Sequence, residues 1–480
     1  MTLRCAMHVA IDACPTDETS GNAVVIERTG ELAPETLGLT LAEAHMLLRK
    51  VQTRLVTAQI DEWQAAHRAC PACGADRGLK DRRPVTMRTA FGQQQVAVER
   101  LRRCGCGGDV GPGATLTPLA ALLPERTTPE LLYLETRWAS LVSFGLAARM
   151  LGEMLPLDRP VAPECVRRHL HAAAEREEVA LEAEEPTRFD ACQRDLFDMA
   201  VPDGPMVVGI DGGYVRDREG SWFEVVAGKG LTSFARGDGE ADSPSNEGVS
   251  PPGRCFAFVQ AHDDDPRRRM LRMLRDQGYQ PNQKLVFLSD GGESVLTLQR
   301  RIGPEAEHVL DWFHVAMRVT ALGQMTKGAA PRLEWRDARL GDLERVKHLL
   351  WHGHAREAVE QIDWLEDDVE DAADEATGEN QARLRKLAAK VGEFRTYIRR
   401  NAGSVIDYGE RYRAGERISS GFVESAINQI VAKRFSKRQS MRWTRRGAHL
   451  ALQTRTQVLN GELEASFRRR WPGFRATRAA

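Results

Sequence analysis

Apolar positions change their period along this chain, and the changes mark its segments. The first residues carry no sustained period. Helical spacing begins in TLAEAHMLLRKVQTRLVTAQIDEWQAAH (40–67), where Thr40 is placed to cap and Glu43 stands three residues on, as in a capping box. VAVER (96–100) alternates like a strand, and Pro112 to Pro124 is rich in turn residues. TPELLYLETRWASLVSFGLAARMLGEML (128–155) predicts one long helix, PLDRPVAP a break, and ECVRRHLHAAAEREEVALEAEE (164–185) a second helix. That helix–break–helix order is also the pattern of a helix-turn-helix.

The character changes after residue 205. PMVVGID, SWFEVVAG and RCFAFVQA predict three strands; between the last two, residues 232–253 are polar and rich in Gly and Pro, the composition of a loop. RRRMLRMLRDQG predicts a helix, KLVFLSD a strand, GESVLTLQRRI a helix and EHVLDWF a fifth strand. Three strands, then helix, strand, helix, strand is the order of an RNase H-like fold, in which the first and fourth strands are neighbours. Helical periodicity then runs through 321–415 and separates the fifth strand from GERISSGFVESAINQIVAKR, a further helix. No repeat with a period of 20 to 50 residues is visible. The expected architecture is multidomain α+β. It comprises an N-terminal helical region (1–65), a zinc-knuckle module (66–115), a helix-turn-helix region (125–185) and an α/β catalytic core (200–320). An all-α insertion (321–415) interrupts that core, and a C-terminal helix with a basic tail (416–480) completes it.

Composition adds little until its distribution is considered. The chain has 480 residues, 42% hydrophobic, and a formal net charge of −1, so bulk charge predicts no polyanionic partner. Residues 357–379 are strongly acidic, whereas Lys433, Arg434, Lys437, Arg438, Arg442, Arg445 and Arg446 crowd together after Glu424. Such polarity lets a neutral chain present one basic face to nucleic acid. Trp443, inside this basic run, is a candidate to stack on a base; Trp351, in LLWHG, is expected to be packed. The absence of a signal-like or membrane-length apolar run predicts a cytoplasmic, nucleoid-associated protein.

Two sets of residues carry candidate chemistry. Asp211 and Asp290 close apolar strand runs and are each followed by two glycines, while Glu424 flanks an apolar helical stripe of Ile418, Phe422, Val423, Ala426, Ile427 and Ile430. Two strand-borne aspartates and a helix-borne glutamate suit two Mg²⁺ or Mn²⁺ ions, and two such ions drive phosphodiester chemistry. Asp311 and His314, in LDWFH, are candidates to support the carboxylates, with Asp311 in place of Asp290 as an alternative ligand. Cys70-x-x-Cys73 and Cys104-x-Cys106 are two close pairs suited to a structural Zn²⁺ with no open position. The other cysteines are scattered.

DGGYVR, SWFEVVAGK, FLSDGG, AEHVLDWFH, LGQM, LLWHG, YGERYR, FVESAINQIVAKR and MRWTRRGAHLALQTRTQVLN resemble the ISKra family of bacterial insertion-sequence transposases, within the DDE superfamily. The resemblance spans roughly 65 to 470 and is dense from 207 onward. It implies an acidic triad on Asp211, Asp290 and Glu424, and places Asp311 to His314 on a C/D-x-x-H signature. It also implies terminal inverted repeats bound by the N-terminal modules, DNA cleavage, strand transfer into target DNA and an oligomer, at least a dimer. Two alternatives remain at this point: a nuclease or resolvase of the same fold without strand transfer, and a non-enzymatic DNA-binding regulator.

Overall fold

A computed structural model describes residues 2–8, 23–29, 31, 33–108, 114–187, 202, 204–231, 253–436 and 441–476. Lys437, Arg438 and all but the last residue of the expected loop at 232–253 lie outside the described residues. Contacts divide the chain into two units, Met1–Ala173 with Gly461–Ala480, and Ala174–Asn460.

In the first unit, the stretch that looked unpatterned holds two antiparallel strands, β1 (Thr2–His8) and β2 (Ala23–Thr29). Period-two alternation is present in β2, where Val24 and Ile26 are buried and Val25 and Glu27 are exposed, but it is too short to stand out. Helix α1 (Leu41–Ala66) begins at the expected capping box: the Glu43 N–H donates to Thr40 Oγ1 at 3.3 Å, and the Thr40 N–H donates back to the Glu43 carboxylate at 2.9 Å. Val56 and Ile60 of α1 pack on Met87, Val96 and Val98 of β3 (Leu79–Thr89) and β4 (Gly92–Arg102). The charged strand β3 was not expected; only the end of it alternates with buried residues. A two-residue strand, β5 (Thr115–Leu116), and a short helix, α2 (Pro118–Leu122), occupy part of the expected turn-rich stretch.

The long helix expected over 128–155 is two helices, α3 (Pro129–Leu141) and α4 (Phe144–Met154). Val142 and Ser143 are extended, and Ser143 Oγ caps α4 by accepting from the Leu146 N–H at 3.3 Å. Helix α5 (Pro163–Ala183) follows the expected break. Buried His169 of α5 pairs with buried Glu135 of α3, and its other ring nitrogen lies 3.2 Å from the Arg88 guanidinium of β3. Residues after Gly461 belong with this unit rather than with the core: Phe467 of the last helix (Leu463–Arg470) and Phe474 each lie 5.3 Å from the Tyr133 ring.

The second unit is built on a five-stranded mixed sheet. Its strands are β6 (Met206–Arg216), β7 (Trp222–Leu231), β8 (Gly253–Val259), β9 (Leu285–Ser289) and β10 (Glu307–Leu310), in the order β10-β9-β6-β7-β8. β6 pairs antiparallel with β7 and parallel with β9, and β9 pairs parallel with β10. Alternation sorts β6 between two cores. Met206, Val208 and Ile210 join α6 (Pro266–Asp276) and α7 (Glu293–Ile302) on one face, while Val207 joins Phe422 and Val423 on the other. The fifth strand stops at Leu310, because Asp311 is the N-cap of α8 (Trp312–Ala329) and Trp312 and Phe313 are already helical. The helices α8, α9 (Leu333–Trp351), α10 (Ala355–Glu375) and α11 (Gly378–Arg400) share a separate apolar core, as the helical pattern over 321–415 predicts. Trp351 is packed edge-on against Trp312, with ring centroids 4.8 Å apart.

Candidate functional site

Three aspartates follow one level of the sheet. Ile210 pairs with Ser289, and Ser289 with Leu310, across three adjacent parallel strands. The next residue on each is Asp211, Asp290 and Asp311. The carboxyl ends of parallel strands are where open α/β sheets bind ligands. Asp211 does not end its strand, which continues to Arg216; the parallel pairing with β9 is what stops there. Backbone amides steady two of these carboxylates: the Gly212 N–H donates to Asp211 at 2.7 Å, and the Gly292 N–H to Asp290 at 2.9 Å. Gly291 has φ +78°, the left-handed turn that glycine makes at low cost.

Asp311 is fully buried and accepts four hydrogen bonds. Oδ1 takes the Phe313 N–H at 2.9 Å and the Ser420 N–H at 3.1 Å; Oδ2 takes His314 Nδ1 at 2.7 Å and the Ser420 hydroxyl. A carboxylate has about four acceptor sites, so Asp311 is occupied as a structural node. This geometry argues against Asp311 replacing Asp290 as a ligand. Burial raises the Asp211 pKa above its ordinary value; the Gly212 amide opposes the rise, and Asp290 and Asp311 add to it. His314 is raised by its hydrogen bond to Asp311, with further contributions from the charges of Asp311, Asp211 and Asp290. Asp211, Asp290, Asp311 and His314 therefore share one electrostatic neighbourhood.

Glu424 lies on α13 (Gly421–Ile427), which passes into a π-helical segment, Asn428–Ser436. Phe422, Val423, Ala426 and Ile430 are buried as the apolar stripe predicts, and Glu424 is exposed. Two glycines set where this helix runs. A Cβ on Gly209 would come 1.8 Å from Val423 Cγ2, and one on Gly213 would lie 3.6 Å from Val431 Cγ1. Gly209, Asp211 and Gly213 share a strand face by parity. The helix thus crosses the face that carries Asp211, and Ser420, its N-cap, is tied to Asp311. The Glu424 side chain has no hydrogen-bond or ion-pair partner among the described residues. The structure does not close it with Asp211 and Asp290 to 4.8 Å between ligand atoms, a spacing that among the described residues only the four cysteines meet.

Those four, Cys70, Cys73, Cys104 and Cys106, could hold a metal such as zinc. Cys70 and Cys106 Sγ are 3.6 Å apart, and Cys73 and Cys104 Sγ 3.4 Å, too far for disulfides and near the ~3.8 Å edge of a tetrahedron with ~2.3 Å Zn–S bonds. Gly74 and Gly107 take positive φ just after the pairs, at 75° and 77°, and fold each into a knuckle. The backbone amides of Ala72 and Cys73 bring the Cys70 thiol down to about 7. Cys106 is pushed up to about 12 by Cys104, Cys73 and Cys70 despite the Gly108 amide. A cation among the four sulfurs would relieve that crowding.

The basic run divides. Lys433, Arg442, Arg445 and Arg446 are exposed, although Arg446 pairs with Glu175. Arg434 is 0% and Trp443 4% exposed, with the guanidinium 4.9 Å from the indole centroid. Both were expected to meet DNA; both are instead interior. Burial lowers the Arg434 pKa to about 9, and the backbone of Trp443 is bridged to Arg216 and Arg218 beside the β6–β7 turn. The helical pattern could not separate these two from their exposed neighbours, because Arg434 lies on a π-helix and Trp443 on an isolated bridge to Asp217.

Sequence reasoning missed Ser420, Arg318, Tyr397 and Asn401 at this site. Ser420 had one signal, its position before the Glu424 helix. Compared with protein-family models and with curated proteins, the chain matches none.

Proposed function

We propose that this chain is a DDE transposase of the ISKra type, with an RNase H-like catalytic core and a helical insertion. One observation carries the reading: Asp211, Asp290 and Asp311 follow the same level of three parallel strands, and Asp311 tethers the helix that bears Glu424. Asp211, Asp290 and Glu424 would hold two Mg²⁺ or Mn²⁺ ions. The donor set fits hard cations, and Asp211, raised chiefly by burial and further by the charges of Asp290 and Asp311, would gain from one. The ions supply activation of the attacking oxygen and stabilisation of the leaving oxygen. Asp311 holds His314 and the N-terminus of α13 in place; Lys433, Arg442, Arg445 and Arg446 face DNA; the cysteine cluster shapes an N-terminal module for end recognition, together with a helix-turn-helix formed by α4 and α5. Work on two DNA ends requires at least a dimer.

The test uses duplex DNA taken from the borders of the chain's own gene. The wild-type protein should nick it only with Mg²⁺ or Mn²⁺, and Asp211→Asn should bind it without cutting. Full cleavage by Asp211→Asn would sink the assignment. A pre-nicked end separates the enzyme classes: joining to a second duplex supports transposition, and hydrolysis without joining supports a resolvase-like nuclease.

A further inference from the structure

Helices α8 and α11 reach the acidic centre at two places. His314 and Arg318 are one turn apart on α8, and Tyr397 and Asn401 are one turn apart at the end of α11. The two helices meet here, with the Arg318 guanidinium carbon 4.1 Å from the Tyr397 ring centroid. Asn401 is 5% exposed, and its Oδ1 accepts no hydrogen bond from the described residues. That oxygen lies 2.4 Å from where a Cβ on Gly291 would sit, so the end of α11 rests on the turn that follows Asp290.

Arg339 pairs with Asp342 and Asp368, and Arg395 with Asp363 and Glu366, but Arg318 is exposed and has no ion pair among the described residues. We propose that Arg318 is a DNA-phosphate contact of the acidic centre, held ready by the Tyr397 ring, so that α8 supplies a substrate-binding residue and α11 positions it. The proposal rests on the DNA-processing reading above and adds a residue to it. A polyanion entering among carboxylates needs a cation beside them, and a guanidinium offers a planar fork matched to phosphate oxygens. Stacking on an aromatic face fixes its direction before the ligand arrives. Burial raises the Tyr397 pKa; Arg318 opposes that rise, and Asp290 and Asp311 add to it, which places these charges within reach of one another.

The experiment measures full-length protein binding to the gene-border duplex in Ca²⁺ across a salt series. Arg318→Ala should weaken binding on the order of tenfold and make the log–log salt dependence shallower by about 0.9, one phosphate contact. Arg318→Lys should restore most of the slope. Tyr397→Phe, which keeps the ring, should bind like wild type, and Tyr397→Leu should follow Arg318→Ala. Equal slopes for wild type and Arg318→Ala would overturn the proposal. If Asp290→Asn also abolishes metal-dependent nicking, the functional reading survives that loss. Failure of the wild type to bind the duplex would remove both together.

Discussion

At the scale of single residues, the acidic centre is organised around a carboxylate that has no free side. Asp311 is buried and gives its oxygens to Phe313, His314 and Ser420. Ser420→Ala removes the hydroxyl from a buried carboxylate and should cost about 1–3 kcal/mol, read as a lower midpoint in urea. His314 and Asp211 give the acidic centre a pH response of its own in the metal-free protein. The folded pKa of His314 is raised, so its contribution is fully present below about 6.5 and is lost as pH rises through the folded value. Asp211 is raised too, so the folded chain binds its proton more readily, and stability again falls as pH rises above 3.8 through the folded value. The contributions of these two groups to the metal-free thermal midpoint should therefore decline with rising pH, opposite in sign to those of depressed carboxylates such as Glu178 and Glu43. Asp211→Asn should flatten that fall and raise the midpoint at neutral pH, and added Mg²⁺ should stabilise the wild type more than the variant. An unchanged pH profile in both Asp211→Asn and His314→Gln would show that these groups do not control it. At this scale Asp211, Asp290 and Asp311 stood out in the sequence because an acid interrupts an apolar run. Ser420 and Asn401 did not, since their significance lies in partners about 110 residues away in sequence.

At the scale of elements, close approach decides where α13 lies. Gly209 leaves room for Val423 and Phe422 against β6, and no side chain can be added there without moving the helix. Gly209→Val should destabilise the protein by about 1–3 kcal/mol through overpacking. It should also lower nicking activity more than DNA binding, because it displaces the helix that carries Glu424. Gly213 has an ordinary contact distance, 3.6 Å, and Gly213→Ala should be far milder. The long helices, the capping box at Thr40 and most of the strands were legible from periodicity. The split between α3 and α4 was not, because apolar spacing continues across Val142 and Ser143 while the backbone turns extended. The π-helical segment after Glu424 was also hidden, and with it the burial of Arg434, as was the bridge to Asp217 that buries Trp443.

At the scale of the whole molecule, both units have apolar packing, and the first carries the cysteine cluster besides. The second has a sheet with two apolar faces and a separate helical core. The cysteine region of the first has one buried sulfur, Cys70, and three that are partly or fully exposed. Metal ligation would supply order there that packing does not. If the four cysteines hold a metal, a chelator or Cys73→Ser should make the first unit protease-sensitive while the second still melts cooperatively. Protection unchanged by the chelator would show that the four thiols stand without metal. Among the described residues no helix is long and apolar enough to cross a membrane.

By itself the sequence determined many of the local terms: the long helices and the strands of the second unit, the cap at Thr40, the two close cysteine pairs, and which acids interrupt apolar runs. These depend on neighbours within a turn or a strand, so period and spacing report them. Tertiary structure alone decided which of those residues meet. The common level beneath Asp211, Asp290 and Asp311 depends on strand register, the tether from Ser420 on a fold that spans the insertion, and the return of Phe467 and Phe474 to Tyr133 on packing. The interior position of Arg434 and Trp443 shows the same limit. A basic run is written in the sequence, but which of its side chains face water is set by the surfaces that close around them.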